Sequence, residues 1–165
     1  GRGAAGRSER VRRSRDGGRR KVETWDIASV LLEVRNGASG VMALNRSAWG
    51  RKGRIAMQVF GSRGTIAYDQ ERMNEFQLYR ADDPAAEQGF RTVLTAPVHA
   101  PYDRFIPAPG HGLGFNELKM IECHELLRAI RGEPAQIVDF DKGLEIERAV
   151  HAMAESHRVG RWVGV

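Results

Sequence analysis

Two turns flanked by short apolar runs constrain the fold of this chain more than any other feature of its sequence. Asn36-Gly37 separates the first two runs, and the sequence GSRG at residues 61–64 separates the next two. An Asn-Gly pair in this setting favours a β-hairpin, because both residues tolerate the positive φ that twisted hairpins need. Glycine at both ends of GSRG favours a longer hairpin loop. The pattern predicts four antiparallel strands in one sheet, at residues 26–34, 40–48, 54–60 and 64–69.

The two faces of this predicted sheet differ in composition. Side chains alternate between the faces along a strand, so each face can be inspected separately. In the first strand one face is wholly apolar, whereas the other mixes apolar side chains with serine and glutamate. The mixed face fits a protein–protein interface, and a solvated face with scattered apolar residues explains the pattern equally well. In the first strand the mixed face comprises Ile27, Ser29, Leu31 and Glu33.

The positive charge of the chain is confined to its first residues. Residues 1–21 carry nine basic and two acidic side chains, so that the rest of the chain contributes −2 to the formal net charge of +5. This Gly/Arg-rich composition without apolar periodicity predicts a disordered tail or linker preceding a single domain at residues 22–165. A basic tail can bind nucleic acid through phosphates, which salt-sensitive binding lost on deletion of the tail would reveal. Since the tail has no aromatic residue for base stacking, we expect no nucleic-acid partner.

The sequence offers no cofactor or metal site of a recognisable kind. Residues 1–6 match the dinucleotide-binding pattern G-x-G-x-x-G, but the Arg-rich sequence after them lacks the apolar stripe of the helix that receives the pyrophosphate. The single cysteine, Cys123, excludes a thiolate metal site and an internal disulfide, which favours the cytoplasm. No apolar run reaches the length of a membrane-spanning helix, so no membrane partner is expected.

Further strands predicted at residues 74–80 and 90–94 lead into a long loop rich in proline and glycine. Long loops in compact domains often carry function, because they present side chains that regular elements cannot. Polar side chains concentrate in this loop, and an arginine after the second strand is expected to reach the same region. Alternatively, the loop arginine pairs with a surface carboxylate such as Asp103, and the loop histidine satisfies the loop backbone. The candidate substrate-binding residues are Arg46, Tyr102, Arg104 and His111.

Apolar residues at spacings of three and four predict a helix after the loop. Asn116 is the expected N-cap, and Gly132 is expected to end the helix. The stripe predicts one buried helix face, on which the cysteine is a small buried residue rather than a reactive thiol. This stripe comprises Met120, Cys123, Leu127 and Ile130.

A second helix is predicted near the end of the chain. Asp139 or Asp141 begins it, and Gly160 ends it after about residue 157. A last short strand is predicted at residues 161–163. Residue chemistry alone declares no complete active site in any of these elements, because neither a nucleophile elbow nor a phosphate-binding loop is present.

Several motifs along residues 22–165 resemble the C-terminal domain of the glucose–fructose oxidoreductase and inositol dehydrogenase family (Gfo/Idh/MocA). They are NGASG, FGSRGTIAYD, AIRGEP and the closing DFDKGLEIERAVHAMAESHRVGRWVGV, of which the last is the most specific. The resemblance implies an α+β fold with an open, mostly antiparallel sheet and helices packed on one face. It also implies a separate Rossmann domain that binds NAD or NADP, and hydride transfer between a sugar or polyol and the nicotinamide.

The resemblance carries over no catalytic residue. The family's Glu-Lys-Pro motif is absent here, since Glu133-Pro134 lacks the lysine. An Asp and a His in D-x-x-x-H spacing are also absent. We therefore expect the catalytic residues and the cofactor site to lie upstream of Gly1, and this chain alone to be inactive and to bind no cofactor. The sequence upstream distinguishes this expectation from its alternative.

The resulting hypothesis is the substrate-binding and oligomerisation domain of an NAD(P)-dependent sugar or cyclitol (inositol-like) dehydrogenase. The alternative is a stand-alone, non-catalytic dimerising or ligand-binding module. Under the first hypothesis the expected partners are a small sugar or polyol and a second copy of the chain. The open sheet face is expected to form the homo-oligomer and to bury Leu31, Ala43 and Ala56.

Overall fold

The computed structural model describes the backbone of residues 11–13, 19–21 and 24–165, and the side chains from residue 24 onward. Within these residues the chain forms antiparallel sheets and two α-helices, so the predicted α+β class is confirmed. Two compact units are present, one made of residues 1–51 and 150–165 and the other of residues 52–149. The candidate loop belongs to the second unit.

The strands form three antiparallel sheets. A two-stranded ribbon and a two-stranded hairpin belong to the first unit, and a four-stranded sheet in consecutive order belongs to the second. The predicted tail contains the ribbon, and its other residues lie outside the described part of the chain. The strands are β1 (Val11–Arg13) with β2 (Arg19–Lys21), β3 (Ile27–Glu33) with β4 (Ser39–Asn45), and β5 (Ala56–Gly61), β6 (Gly64–Asp69), β7 (Glu75–Arg80) and β8 (Arg91–Leu94).

The β3–β4 hairpin forms as predicted, with a different turn. The Gly37 amide donates to the Val34 carbonyl at 2.8 Å, and the Val34 amide donates to the Ala38 carbonyl at 2.8 Å. Gly37 has a φ of 86°, whereas Asn36 does not have a positive φ. These contacts define a three-residue turn with glycine in the left-handed position, rather than two adjacent residues with positive φ. Asn36 contributes through its side-chain oxygen, which accepts from the Ala38 amide at 3.1 Å.

The β5–β6 connection is shorter than the sequence predicted. Gly61 and Gly64 are register partners, so the turn consists of two residues, Ser62 and Arg63. Neither glycine has a positive φ. Gly64 is required for a different reason, because a Cβ at this position would lie 2.4 Å from the Tyr79 carbonyl oxygen on β7. The close approach of a neighbouring strand, not the turn, accounts for this glycine.

The prediction of one continuous sheet through β3, β4, β5 and β6 was wrong. In the described residues β4 pairs with β3 and not with β5. The segment between them directs its polar groups elsewhere: the Lys52 amide donates to Glu71 Oε1 at 2.7 Å, and Gln70 Nε2 donates to the Gly53 carbonyl at 3.0 Å. These bonds to the end of β6 stabilise an irregular connector, so the ladder does not continue from β4 to β5.

The first helix, α1 (Phe115–Ile130), begins two residues earlier than predicted. Gly114, not Asn116, is the N-cap, and its amide donates to Glu117 Oε2 at 2.8 Å. Glu117 therefore satisfies one of the amides that a helix start leaves without a helical partner, while placing negative charge at the positive end of the helix dipole. Gly132, with a φ of 74°, follows the helix end as predicted.

The second helix, α2 (Phe140–Val159), is capped by the first of the two predicted aspartates. Asp139 Oδ1 accepts from the Lys142 amide at 2.8 Å. Gly160 ends the helix with a φ of 68°. The strand predicted at residues 161–163 does not form, because the Arg161 carbonyl accepts from the Ser156 hydroxyl at 2.6 Å and is thereby held at the helix end.

Burial departs from the predicted helix stripe. Met120, Cys123, Leu127 and Ile130 are all exposed, so the prediction of a buried stripe and a buried cysteine was wrong. The buried residue of α1 is instead Glu125, which is 7% exposed. Its carboxylate accepts from the Gln136 amide at 2.8 Å and from Arg128 at 3.1 Å. The less exposed face of α1 in the described chain is thus the one that carries Glu125, with the half-buried Leu118 and Ile121, and the predicted stripe stays uncovered.

Candidate functional site

The candidate site is the loop between β8 and α1, and we refer to residues 96–112 as the 96–112 loop. Asn74, immediately before β7, binds the residues that flank both ends of this loop. Its backbone carbonyl accepts from the Thr95 amide at 2.8 Å and from the Thr95 hydroxyl at 3.1 Å. Its side-chain amide accepts from the Leu113 amide at 2.7 Å and donates to the Leu113 carbonyl at 2.9 Å. The loop therefore leaves and returns at a single residue.

The loop is well packed although it has no regular structure. Among the residues with described side chains, the two buried apolar ones belong to this region: Ile106 is 2% exposed and Leu113 is 7% exposed. Internal backbone bonds order the loop, including one from the Ile106 amide to the Tyr102 carbonyl at 2.8 Å. A loop that is internally bonded and anchored at both ends presents its remaining side chains from fixed positions.

His99 has a structural role inside the loop. Its Nδ1 accepts from the Ala96 amide at 3.1 Å, and its ring meets the ring of Phe76 on β7 edge-on, with centroids 6.4 Å apart. The first contact orders the start of the loop, and the second packs it against the four-stranded sheet.

Arg104 contacts a histidine that the sequence analysis did not select. Its Nη1 lies 3.0 Å from Nε2 of His124 on α1, and the His124 ring packs edge-on against Phe105 with centroids 5.5 Å apart. A guanidinium only donates hydrogen bonds, so Nε2 accepts and the His124 ring carries its proton on Nδ1. The expected alternative, a pair between Arg104 and Asp103, is not the contact that forms. Sequence spacing gave no signal for His124, because the contact joins a loop to a helix.

Tyr102 lies in a short 3-10 turn, residues 102–104, and is half-buried. Its neighbour is Tyr68 on β6, a second residue that the sequence analysis did not select. Burial raises the pKa of Tyr68 above 10, and the nearby Tyr102 and Asp69 raise it further. Tyr68 therefore remains protonated at neutral pH, and its hydroxyl can donate and accept a hydrogen bond.

His111 follows the alternative that the sequence left open. Its Nδ1 lies 3.3 Å from the Ala108 carbonyl oxygen, and its backbone amide donates to the same oxygen at 3.2 Å. The imidazole thus satisfies the loop backbone while remaining exposed. Its other ring nitrogen is not used by this contact, so a role toward a ligand stays a prediction.

Arg46 belongs to the first unit, whereas the loop belongs to the second. Arg46 Nε lies 3.8 Å from Asp26 Oδ1, and the Arg46 amide donates to the Asp26 carbonyl at 3.0 Å. Asp26 is only 5% exposed, so the ion pair holds a buried carboxylate at the end of the β3–β4 hairpin. A role for Arg46 in the same site as the loop stays a prediction.

The described residues contain no cluster of three or more His, Cys, Asp or Glu side chains arranged to hold a metal ion. The glycine pattern at residues 1–6 lies outside the described residues. In the described part of the chain, neither helix is both long and apolar enough to cross a membrane. What the loop region provides is a set of neutral and cationic hydrogen-bond donors beside α1 and β6.

Comparison with known proteins identifies the family of the chain. The family described as "Oxidoreductase family, C-terminal alpha/beta domain" (Gfo/Idh/MocA) matches residues 3–165. Levoglucosan dehydrogenase of Pseudarthrobacter phenanthrenivorans is 33% identical over 153 residues, which are 93% of this chain and 39% of that protein. The chain thus spans about two-fifths of the length of this relative.

Solved structures with the same fold include oxidoreductases. An NAD binding oxidoreductase from Klebsiella pneumoniae superposes with a TM-score of 0.85 at 35% identity, over 93% of this chain and 42% of that one. Levoglucosan dehydrogenase in complex with NADH and levoglucosan superposes with a TM-score of 0.83 at 34% identity, over 90% of this chain and 40% of that one. The sequence match and these superpositions place the chain in the Gfo/Idh/MocA oxidoreductase family, as a C-terminal α/β domain.

Proposed function

We propose that this chain is the substrate-binding and oligomerisation domain of an NAD(P)-dependent sugar or cyclitol dehydrogenase whose cofactor domain lies outside it. Family membership supports an oxidoreductase, and the relative with levoglucosan and NADH bound supports a sugar substrate. The observation that carries the substrate role is the anchored 96–112 loop, which presents Arg104 and Tyr102 beside Tyr68 and His124.

Recognition of a polyol requires several convergent donors and acceptors, because each hydroxyl loses its water partners on binding. Arg104 uses one of its five N–H groups on His124, and the guanidinium is exposed. The tyrosine hydroxyls supply groups that both donate and accept. These residues suit an uncharged or weakly acidic sugar better than a cationic ligand.

The cofactor supplies the hydride acceptor when it is bound to its own domain. The residues of this chain bind the sugar, orient its reacting carbon and exclude water from it. We assign no catalytic residue to this chain, and we propose Arg46, Tyr102, Arg104 and His111 as its substrate-binding residues.

The test is steady-state kinetics in the full-length protein. Arg104→Ala is expected to lower kcat/KM for the sugar at least about tenfold, which corresponds to about 1.4 kcal/mol of lost binding. Arg35→Ala, an exposed arginine in the β3–β4 turn, is the matched control and should leave kcat/KM unchanged. Wild-type kinetics in Arg104→Ala, with unchanged thermal stability, would remove the loop from the substrate site.

The other proposed residues give smaller tests of substrate binding. Tyr102→Phe removes one hydroxyl, and His111→Ala and Arg46→Ala remove their donors. Each should raise KM for the sugar more than KM for the cofactor, because we propose that each binds the sugar and not the cofactor. A variant that alters only stability would place its residue in the framework of the loop or hairpin instead.

We propose that the mixed face of the β3–β4 hairpin pairs with a second copy of the chain. Leu31 is 65% exposed and Val41 is 74% exposed on this face, together with Ile27 and Ala43. Leu31→Lys should convert the assembly to a monomer in light scattering, whereas Ser62→Lys places the same charge in an exposed turn and should not. A monodisperse wild-type monomer at high concentration would contradict this proposal.

The stand-alone module is the second candidate function, and it also accounts for an exposed face and an anchored loop. The two differ in what lies upstream of Gly1. A glycine-rich strand–loop–helix unit there supports the dehydrogenase, and saturable NADH binding by residues 1–165 alone would contradict the proposed division of labour. We propose a cytoplasmic location, consistent with the single exposed cysteine.

A further inference from the structure

We propose that Asn74 is a positioning residue for the substrate site, which sets specificity by holding both ends of the 96–112 loop. This inference rests on the proposed function, because it assigns the loop to the sugar. Asn74 contacts neither Arg104 nor Tyr102 in the described bonds, so it acts through the loop backbone.

Asn74 makes four hydrogen bonds, two at each end of the loop. The carbonyl of Asn74 accepts two bonds from Thr95, where the chain leaves β8. The side-chain amide pairs with the backbone of Leu113 through one accepted bond of 2.7 Å and one donated bond of 2.9 Å. One residue thus joins the start and the end of a loop that the sequence makes long and irregular.

The paired bonds to Leu113 specify asparagine among the side chains. Its amide presents an acceptor and a donor side by side, as a neighbouring strand would, and so it satisfies both polar groups of a buried backbone position. Aspartate would set a second oxygen against the Leu113 carbonyl. Gly112 leaves the necessary space, because a Cβ there would lie 2.9 Å from the Asn74 side chain.

Fixing both ends matters because of the length of the loop. A long segment held at one end alone has many more accessible conformations, and closing it has an entropic cost. The donors at Tyr102 and Arg104 lie midway along the loop, where release of one loop end is expected to displace the side chains most. Since a misplacement of about 1 Å can lower a rate about a hundredfold, release of Leu113 is expected to be visible in kcat/KM.

The first experiment compares Asn74→Ala with Asn36→Ala in the full-length protein. Asn36 is also a turn asparagine whose side chain accepts from a backbone amide, but it belongs to the β3–β4 hairpin. Asn74→Ala should accelerate hydrogen exchange at the Leu113 amide and within residues 96–112, and should lower kcat/KM for the sugar at least tenfold. KM for the cofactor should not change in Asn74→Ala. The control, Asn36→Ala, should change neither hydrogen exchange in the loop nor kcat/KM for the sugar.

The second experiment uses Asn74→Asp to separate positioning from general destabilisation. An ionised carboxylate accepts from the Leu113 amide but repels the Leu113 carbonyl, whereas a protonated carboxyl can donate to it. Burial and the facing carbonyl raise the pKa of such a carboxyl. The ratio of kcat/KM for Asn74→Asp to that of wild type should therefore rise as pH falls, while the same ratio for Asn74→Ala stays flat.

Thr95→Val serves if Asn74→Ala fails to fold, since it removes only the hydroxyl bond to the Asn74 carbonyl and should loosen the same loop by a smaller amount. Unchanged exchange in the loop would overturn the role of Asn74, whatever the kinetics. Faster exchange with unchanged sugar kinetics would also overturn it, by separating the loop from the substrate. A wild-type protein that oxidises no sugar or cyclitol contradicts the proposed function, and the exchange rates still decide whether Asn74 holds the loop.

Discussion

The β3–β4 hairpin and the 96–112 loop invert the usual relation between regularity and burial. The hairpin is regular along its whole length, with paired residues from Ile27 to Asn45, yet its mixed face is open to solvent. The loop has irregular backbone and many prolines and glycines, yet it contains Ile106 and is followed by Leu113, the two buried apolar side chains of the described chain.

The difference follows from how each region satisfies its backbone. Cross-strand bonds satisfy the hairpin backbone wherever its side chains lie, so the strand pair forms without a covered face. An irregular segment has no such ladder, so it depends on side chains such as Asn74 and on buried apolar anchors. Regularity therefore indicates secondary structure, and burial indicates where tertiary contacts are made.

The largest expected effect is a loss of stability when a buried side chain of the loop is truncated. Ile106→Ala should lower the free energy of unfolding by about 2–5 kcal/mol, because it leaves a cavity around a side chain that is almost fully buried. Val41→Ala on the open face of the hairpin should change it by no more than about 0.5 kcal/mol in the unassociated protein. Urea denaturation measures both. Equal losses in the two variants would mean that the two regions are buried alike.

A smaller loss of stability is expected when alanine replaces a tightly packed glycine in a regular strand. Gly64→Ala places a methyl group 2.4 Å from the Tyr79 carbonyl oxygen and should cost about 1–3 kcal/mol of stability. Gly40→Ala on β4 meets no atom within 4 Å and should be neutral or stabilising. Thermal unfolding of the two variants side by side tests the prediction, and a neutral Gly64→Ala would show that β7 can move away.

The turn of the β3–β4 hairpin should respond through backbone conformation alone. Gly37 has a φ of 86° and open space around its Cα, so Gly37→Ala should cost about 1–2 kcal/mol from strain without any clash. Gly89→Ala, also in open space but without a positive φ, is its control. If both alanine variants unfold at the same denaturant concentration, the turn is not strained by a side chain.

The smallest effect concerns acid pH and the polar face of α1. The Gln136 amide and, more weakly, Arg128 hold the pKa of Glu125 below its ordinary value of 4.5 despite burial. A lowered folded pKa means that this contribution to stability is complete above the unfolded pKa and is lost as pH falls through the lower folded value. Glu125→Gln should therefore flatten the decline in stability below about pH 4.5, whereas Glu122→Gln, on the exposed side of α1, should not. A parallel decline in both variants, followed by circular dichroism, would contradict this.

Much of the fold could be predicted from local sequence. Alternation and turn residues placed strands β3 to β8 and both hairpins, although not β1 and β2, and Asp139, Gly132 and Gly160 marked helix ends correctly. The N-cap of α1 was missed because Glu117, a residue inside the helix, supplies the capping contact to Gly114. The candidate site was predicted only as a loop: Arg104 was selected from its chemistry, while its partner His124 had no signature in the sequence.

The sequence by itself determined the positions of most elements, because periodicity, turn chemistry and capping act within a few residues along the chain. The family was indicated separately, by the resemblance of several motifs. Only the tertiary structure decided that β4 does not pair with β5, that the Tyr79 backbone leaves no room for a Cβ at Gly64, and that Asn74 holds Leu113. Each of these joins residues far apart in sequence. Their contacts depend on how elements meet in space, and no local pattern of residues encodes that distance.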